Sequence, residues 1–150
     1  MMSQVNGNGP LSIFQVAGRA MSAQLVRMNT TASNLANAGN SASTAEAAYK
    51  TMKPVFRTSF DTASGMSSFD TASGMSTVDV EKVVTAGEAP TQRYDPSNPM
   101  ADNDGNVFDA AVDETRELVD MMETARGYQN NIEVMNTAKS LIIDTLKLGR

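Results

Sequence analysis

The sequence predicts an α+β chain in which long N- and C-terminal helices pair as a coiled-coil-like unit, with a β-rich middle domain inserted between them. Three observations lead there. Apolar residues recur every three and four positions near both termini, Gly, Ser, Thr and Pro concentrate between them, and short runs in that middle section alternate with period two. The expected divisions are an N-terminal helical segment over residues 1–39, a middle domain over 40–107, and a C-terminal helix over 108–150 that packs back on the first.

In the first helix, Phe14, Gly18, Met21, Leu25, Met28, Ala32 and Leu35 fall on consecutive a and d positions. Ser12 and Gln15 fit a capping box, Leu11 and Val16 stand where a hydrophobic staple belongs, and Gly39 is a natural stop. These signals set a helix over residues 13–37, about 37 Å long at roughly 1.5 Å per residue. In the second helix the stripe runs Leu118, Met121, Ala125, Tyr128, Ile132 and Met135, then drifts to Ala138, Leu141, Ile142 and Leu148. Asp109 is the expected N-cap. Asp113 and Glu114 near the start, and Lys147 and Arg150 near the end, suit the helix dipole.

The middle section reads as strand and loop. Pro54-Val55-Phe56-Arg57-Thr58 and the alternating run from Val78 to Val84 are expected strands, and Tyr94-Asp95-Pro96-Ser97-Asn98-Pro99 is a turn-rich loop. Asp104-Gly105 reads as a tight hairpin turn. Ser59-Phe60-Asp61-Thr62-Ala63-Ser64-Gly65-Met66-Ser67 recurs identically as residues 68–76. Two copies are too few for a stacked solenoid, so the reading is a duplication in a tolerant loop. A pair of β-hairpin arms is the other reading.

The polar sides of the helices are unusual. Residues 13–37 carry only Arg19 and Arg27 as charges, among Gln24, Asn29, Thr30, Thr31, Ser33, Asn34 and Asn37. The stretch from Gly127 to Ala138 has Glu133 alone. A helix facing water is normally rich in Glu and Lys. Two readings stand: a two-helix coiled coil with a neutral outer face, or helices covered on several sides by assembly.

Composition narrows the function. With 150 residues the chain is one domain, or one small domain plus a helical appendage, and 5% aromatics, no Trp and 11 Met suit a protein loose alone and ordered on assembly, a merely flexible monomer being the other reading. A net charge of −5 and a pI near 4.6, without clustered Lys or Arg, argue against nucleic acid. No apolar run approaches the roughly 18 residues of a membrane span, and Met1 to Pro10 lacks a Sec-type leader pattern. The absence of His and Cys removes Ser-His-Asp and Cys-His chemistry, disulfides and the commonest metal ligands. Asp113, Glu114, Glu117, Asp120 and Glu123 share helix faces at i, i+3 and i+4, and a solvated charged face explains them better than a catalytic pair. The Asp102-Asn103-Asp104-Gly105-Asn106 run is not an EF-hand loop, since Gly at position six puts Met100 at position one. No catalytic, cofactor or metal residues are assigned, and the chain is read as a non-enzyme.

Several ordered segments resemble one family. Ser33-Asn34-Leu35-Ala36-Asn37-Ala38 is similar to the signature of the bacterial flagellar rod and hook axial proteins, and Tyr49-Lys50 matches the pair that follows it there. Tyr94-Asp95-Pro96-Ser97-Asn98-Pro99-Met100-Ala101-Asp102 resembles a segment of its proximal-rod members. The run from Ala125 to Ser140, containing Asn136-Thr137-Ala138-Lys139-Ser140, resembles the family's terminal helix. Two stretches depart from the pattern: Ser41 to Ala48 lacks the usual proline turn, and the duplication lengthens the middle.

The resemblance implies a structural subunit exported by the flagellar type III system and assembled through its terminal helices into the proximal rod, which crosses the periplasm and transmits torque. It implies as neighbours copies of itself, FlgB, FlgF, FlgG and FliE. The assembly residues would be Phe14, Met21, Leu25, Met28, Leu35, Leu118, Met121, Tyr128, Ile132, Met135, Leu141 and Ile142. Two other classes are a soluble coiled-coil adaptor or export-associated regulator, and a peptidoglycan-acting enzyme, which would need an acid in a cleft. Lengthening a loop costs only about 0.6 kcal/mol per doubling. Deleting residues 68–76 is therefore expected to leave swimming intact; loss of motility with normal export would make the repeat a contact element.

Overall fold

The computed structural model describes residues 10–60, 76–87 and 89–149. In chain order the elements are α1 (Pro10–Asn37), β1 (Ser41–Ala42), β2 (Met52–Phe60), β3 (Ser76–Thr85), β4 (Thr91–Tyr94), β5 (Asn106–Asp109) and α2 (Glu114–Leu148). The class is α+β, with a β-rich middle between two long helices. Most of the tandem repeat and the first nine residues lie outside the described residues.

Helix α1 includes Pro10, two residues before the expected capping box, so Ser12 is not its N-cap. Proline's preset φ and missing donor suit a first turn. The side chains of Leu11 and Ser12 lie outside the described residues. At its other end α1 stops at Asn37 without a left-handed Gly39. Polar side chains close the turn instead: Asn37 Nδ2 donates to the Ser33 carbonyl at 2.8 Å, and Asn40 Nδ2 to Asn37 Oδ1 at 3.0 Å. The N-cap of α2 is Asp113, which accepts from the Arg116 amide at 3.1 Å, and not Asp109. Asp109 belongs to β5, across the expected 107/108 division, and its carboxylate is engaged elsewhere.

Two small sheets fill the middle. Strands β2 and β3 form an antiparallel hairpin with one extra residue on β3 between the pairs Phe56↔Val80 and Val55↔Lys82. Strands β1, β5 and β4 form an antiparallel sheet with β5 in the centre. The β4–β5 connection is not a two-residue turn at Asp104-Gly105 but a compact loop over residues 95–105. Asp102 Oδ1 accepts the amides of Asp104 and Asn106 at 2.9 and 2.8 Å, and the Gly105 amide donates to the Asp102 carbonyl at 3.0 Å. Gly105 has φ +79, and a Cβ there would lie 2.9 Å from the Tyr94 ring and 3.1 Å from Pro96. Only glycine fits that position without strain.

The helices pack antiparallel. Asn34 and Arg27 of α1 reach Glu117 and Asp120 near the start of α2, while Ile13 shares a groove with Ala138, Leu141 and Ile142 near its end. The β2–β3 hairpin packs on another side of α1, where Arg19 Nη1 donates to Thr77 Oγ1 at 2.9 Å and lies 3.5 Å from Asp79. Among the described residues α2 makes no direct packing contact with the hairpin, and α1 lies between them, bridging the two through Asn34. Its only two charges are both used inside the chain, which accounts for the low charge of this helix. The segments beside the helices are tied together as well: the Ala110 amide donates to Asn40 O at 2.9 Å, the Ala111 amide to Tyr49 O at 3.0 Å, and the Thr51 hydroxyl to the Ala111 carbonyl.

The buried apolar residues are small, namely Ala17, Ala23, Ala42, Ala48, Val107 and Ala138. Much of the larger apolar surface faces outward, including Leu25, Phe56, Leu118, Met122 and Leu141.

One surface cluster locks the three-stranded sheet. Arg93 grips Asp109 with Nε at 2.8 Å and Nη2 at 3.2 Å, and reaches Asp95 with Nη1 at 3.0 Å. Arg93 and then the Ser41 hydroxyl hold the Asp109 carboxyl below the ordinary carboxylate range, and Ser97 followed by Arg93 does the same for Asp95. Carboxyls lowered on folding stabilise the fold above their unfolded pKa of about 3.9, and that contribution is lost as pH falls through the lower folded value. The stability deficit of Asp109→Asn, measured by urea unfolding, should therefore be constant from about pH 5 to 8 and vanish under strong acid. A deficit independent of pH throughout would show that the charge plays no part.

Candidate functional site

The side chain of Asn34 is the densest junction in the molecule. It is 1% exposed and sits where α1, β2 and α2 meet. Its Nδ2 donates to the Met52 carbonyl at 2.8 Å and to Glu117 Oε2 at 3.1 Å. Its Oδ1 accepts the Met52 amide at 2.9 Å and the Tyr49 hydroxyl at 3.0 Å. Two donors and two lone pairs are the full capacity of a primary amide, and all four are used. Asn34 thus pairs with Met52 as a neighbouring strand would, ending a helix against the start of a hairpin. Glu117, itself 4% exposed, brings α2 to the same point.

The seam between the helices follows from this junction. On α1 the residues turned inward towards α2 include Gln24, Arg27 and Asn34, at spacings of three and seven; on α2 they include Glu117, Asp120, Thr124 and Gly127. Gly127 lets the helices approach, since a Cβ there would lie 3.2 Å from the Gln24 amide nitrogen. The seam is small and polar, offset by one position from the apolar stripes visible in the sequence. Of the twelve expected packing residues, Phe14, Met21, Met28, Leu35, Met121, Tyr128, Met135 and Ile142 are half-buried. Leu25 is 43% exposed, Leu118 48%, Ile132 37% and Leu141 62%. Sequence reasoning missed Gln24, Thr124 and Gly127; the signal was the spacing of small and polar residues, which hydropathy does not register.

The open side of α1 is distinctive. From Ile13 onward its exposed residues are Ile13, Gln15, Gly18, Ser22, Leu25, Asn29, Ala32 and Ala36, and none is charged. A helix face left to water is normally the charged one. The remaining motif residues have distinct places. Leu35 is half-buried, Ala36 exposed, and Asn37 closes α1. Tyr94 lies over Gly105, Asn98 Oδ1 accepts the Met100 amide at 3.0 Å, and Pro99 is exposed beside it. Asn136 and Lys139 stand exposed on α2.

The acidic residues of α2 have separate tasks: Asp113 caps, Glu117 meets Asn34, and Asp120 lies 3.7 Å from Arg27. Among the described residues no group of His, Cys, Asp or Glu could hold a metal ion, and no helix is long and apolar enough to cross a membrane.

The junction makes a sharp prediction. In Asn34→Asp both donors are lost, and a carboxylate faces Glu117 and the Met52 carbonyl. Each buried group left unpaired costs about 1–3 kcal/mol, and two facing carboxylates add repulsion. Urea unfolding at pH 7 should show a loss of about 3 kcal/mol or more, shrinking towards pH 5 as one carboxyl takes a proton. An unchanged midpoint would remove Asn34 from its place in the fold.

The arrangement of two terminal helices joined at an Asn-Leu-Ala-Asn motif agrees with comparisons to known proteins. Residues 14–39 match the family model described as "Flagella basal body rod protein", and residues 105–148 match "Flagellar basal body rod FlgEFG protein C-terminal". The chain is 38% identical over 140 residues to the flagellar basal-body rod protein FlgC of Salmonella typhimurium, covering 93% of this chain and 98% of that one. It is 36% identical to FlgC of Escherichia coli O6:H1 and 35% to FlgC of Yersinia enterocolitica, each over 93% of this chain and 98% of the relative. The matches take in both helices and the middle between them, and the chain therefore belongs to the FlgC family of flagellar basal-body rod proteins.

Proposed function

We propose that this chain is a structural subunit of the proximal rod in the flagellar basal body, assembled through the outward faces of its terminal helices. The observation that carries the reading is the charge-free open side of α1. The other two sides of that helix are occupied by α2 and the hairpin, and its two arginines are used within the chain. An exposed face made of Gly18, Ser22, Leu25, Asn29 and Ala32 has little to offer water, and its small residues allow another helix to come close. The exposed apolar residues towards the end of α2, Leu141, Ile143 and Leu146, extend the same surface requirement.

In this reading the two helices act as a coiled-coil-like unit inside the rod, the middle domain faces outward, and torque passes through the packed helices. The neighbours are further copies and the rod proteins FlgB, FlgF, FlgG and FliE, and the subunit reaches the periplasm through the flagellar type III export apparatus. The chain works by packing and carries out no catalysis.

The exposure of Leu25 and Ile132 separates folding from assembly. Surface substitutions usually change stability by no more than about 0.5 kcal/mol. Leu25→Asp and Ile132→Asp should therefore leave the urea midpoint of the isolated chain nearly unchanged. In cells they should block rod completion while the protein is still made and exported, because a charge placed in a packed interface has no partner. Intact rods in basal bodies isolated from either mutant would refute the assembly role of these faces.

A further inference from the structure

We infer that Met122 and Met100 are sites of reversible oxidation by peroxides, a modification that changes the surface of this chain without changing its fold. Composition leaves few other targets. The chain has 11 Met and no Cys, His or Trp, so thioethers are the side chains a two-electron oxidant attacks most readily. Which thioether reacts is then set by exposure, because the oxidant has to reach the sulfur.

The fold sorts the described methionines. Met122 is 61% exposed and Met100 50%, with Met52 next at 38%, whereas Met21, Met28, Met121 and Met135 are half-buried. Met121 and Met122 make the sharpest contrast. They are consecutive on α2, so their side chains leave the helix about 100° apart. Met121 lies four positions after Glu117 and three before Thr124, both buried, while Met122 follows the exposed Leu118 and Val119 at the same spacings. One thioether is therefore held towards the seam and the next towards water. Met100 belongs to the compact loop over residues 95–105, where its amide donates to Asn98 Oδ1 at 3.0 Å and its side chain stays open.

In the reaction the sulfur lone pair attacks one oxygen of hydrogen peroxide. An S–O bond forms as the O–O bond breaks, and the departing hydroxide takes a proton and leaves as water. The sulfur gives up two electrons and the peroxide gains them. The product is a polar sulfoxide, which methionine sulfoxide reductases convert back. On Met122 the new oxygen faces water, so no buried polar group is left unpaired and the fold keeps its contacts. The patch of Leu118, Val119 and Met122 becomes less apolar. On Met121 the same oxygen would enter the seam, and the fold would have to open for it to form.

The purified full chain is treated with hydrogen peroxide, and the oxygen taken up at each methionine is followed by peptide mass spectrometry. Met122 and Met100 should react several-fold faster than Met21, Met28, Met121 and Met135 in buffer, and all should react at similar rates in urea that unfolds the chain. Met122→Leu should abolish the early uptake in its peptide and leave Met100 unaffected. The chain oxidised at Met122 and Met100 should keep its urea midpoint and return to its original mass with methionine sulfoxide reductase. Equal rates in the folded chain, Met121 reacting as fast as Met122, or a lowered midpoint when only Met122 and Met100 have reacted would each overturn the assignment. The sites belong to the single chain, so their failure would leave the rod reading intact.

Discussion

The meeting of α1, the β2–β3 hairpin and α2 is fixed by the side chain of one asparagine. Asn34 uses both donors and both lone pairs, and its four bonds reach the backbone of β2, the hydroxyl of Tyr49 and a carboxylate on α2. A buried amide satisfied this completely is a strong geometric constraint, because any shift of one partner leaves another unpaired in a low-dielectric site. It sets where the hairpin leaves α1 and at which turn α2 returns. The rest of the antiparallel seam follows from that fixed point, through Arg27 with Asp120 and Gln24 over Gly127.

The energetic character of the fold is a consequence. Among the described residues Ala, Thr and Asn fill the interior with one fully buried Val107, so little large apolar surface is removed from water. Specific hydrogen bonds define the arrangement, and the described Leu, Ile, Met and Phe side chains are half-buried or exposed. In the proposed reading such a subunit holds its shape by polar contacts and offers its exposed apolar surface to neighbours in the rod.

How much of this was legible in the sequence depended on which physical signal each feature leaves. The two helices and the β2 and β3 strands were visible because periodic apolar residues and β-branched runs mark them directly. The seam is displaced by one position because hydropathy points to Leu25, Leu118 and Ile132, whereas the chain turns Gln24, Glu117 and Thr124 inward, which carry no apolar signal. The N-cap was assigned to Asp109 instead of Asp113 because two aspartates precede the helix, and only the long-range pairing with Arg93 and Ser41 commits the first to the sheet. Asp104-Gly105 looked like a two-residue turn, but the longer loop is organised by Asp102 and by the ring of Tyr94. The importance of Asn34 was marked by its motif; its reason appeared only with Met52, Tyr49 and Glu117 around it. The scarcity of charge on residues 13–37 proved the most informative pattern: Arg19 and Arg27 meet the hairpin and α2 on two sides, and the third side is uncharged.

In the proposed reading this third side of α1 is a packing surface. A reconstruction of the assembled rod containing this chain, at a resolution that shows side chains, tests it most directly. Gly18, Ser22, Leu25, Asn29 and Ala32 should lie buried against another subunit. Finding that face turned to solvent, with Leu25 as exposed in the rod as it is in the single chain, would contradict it.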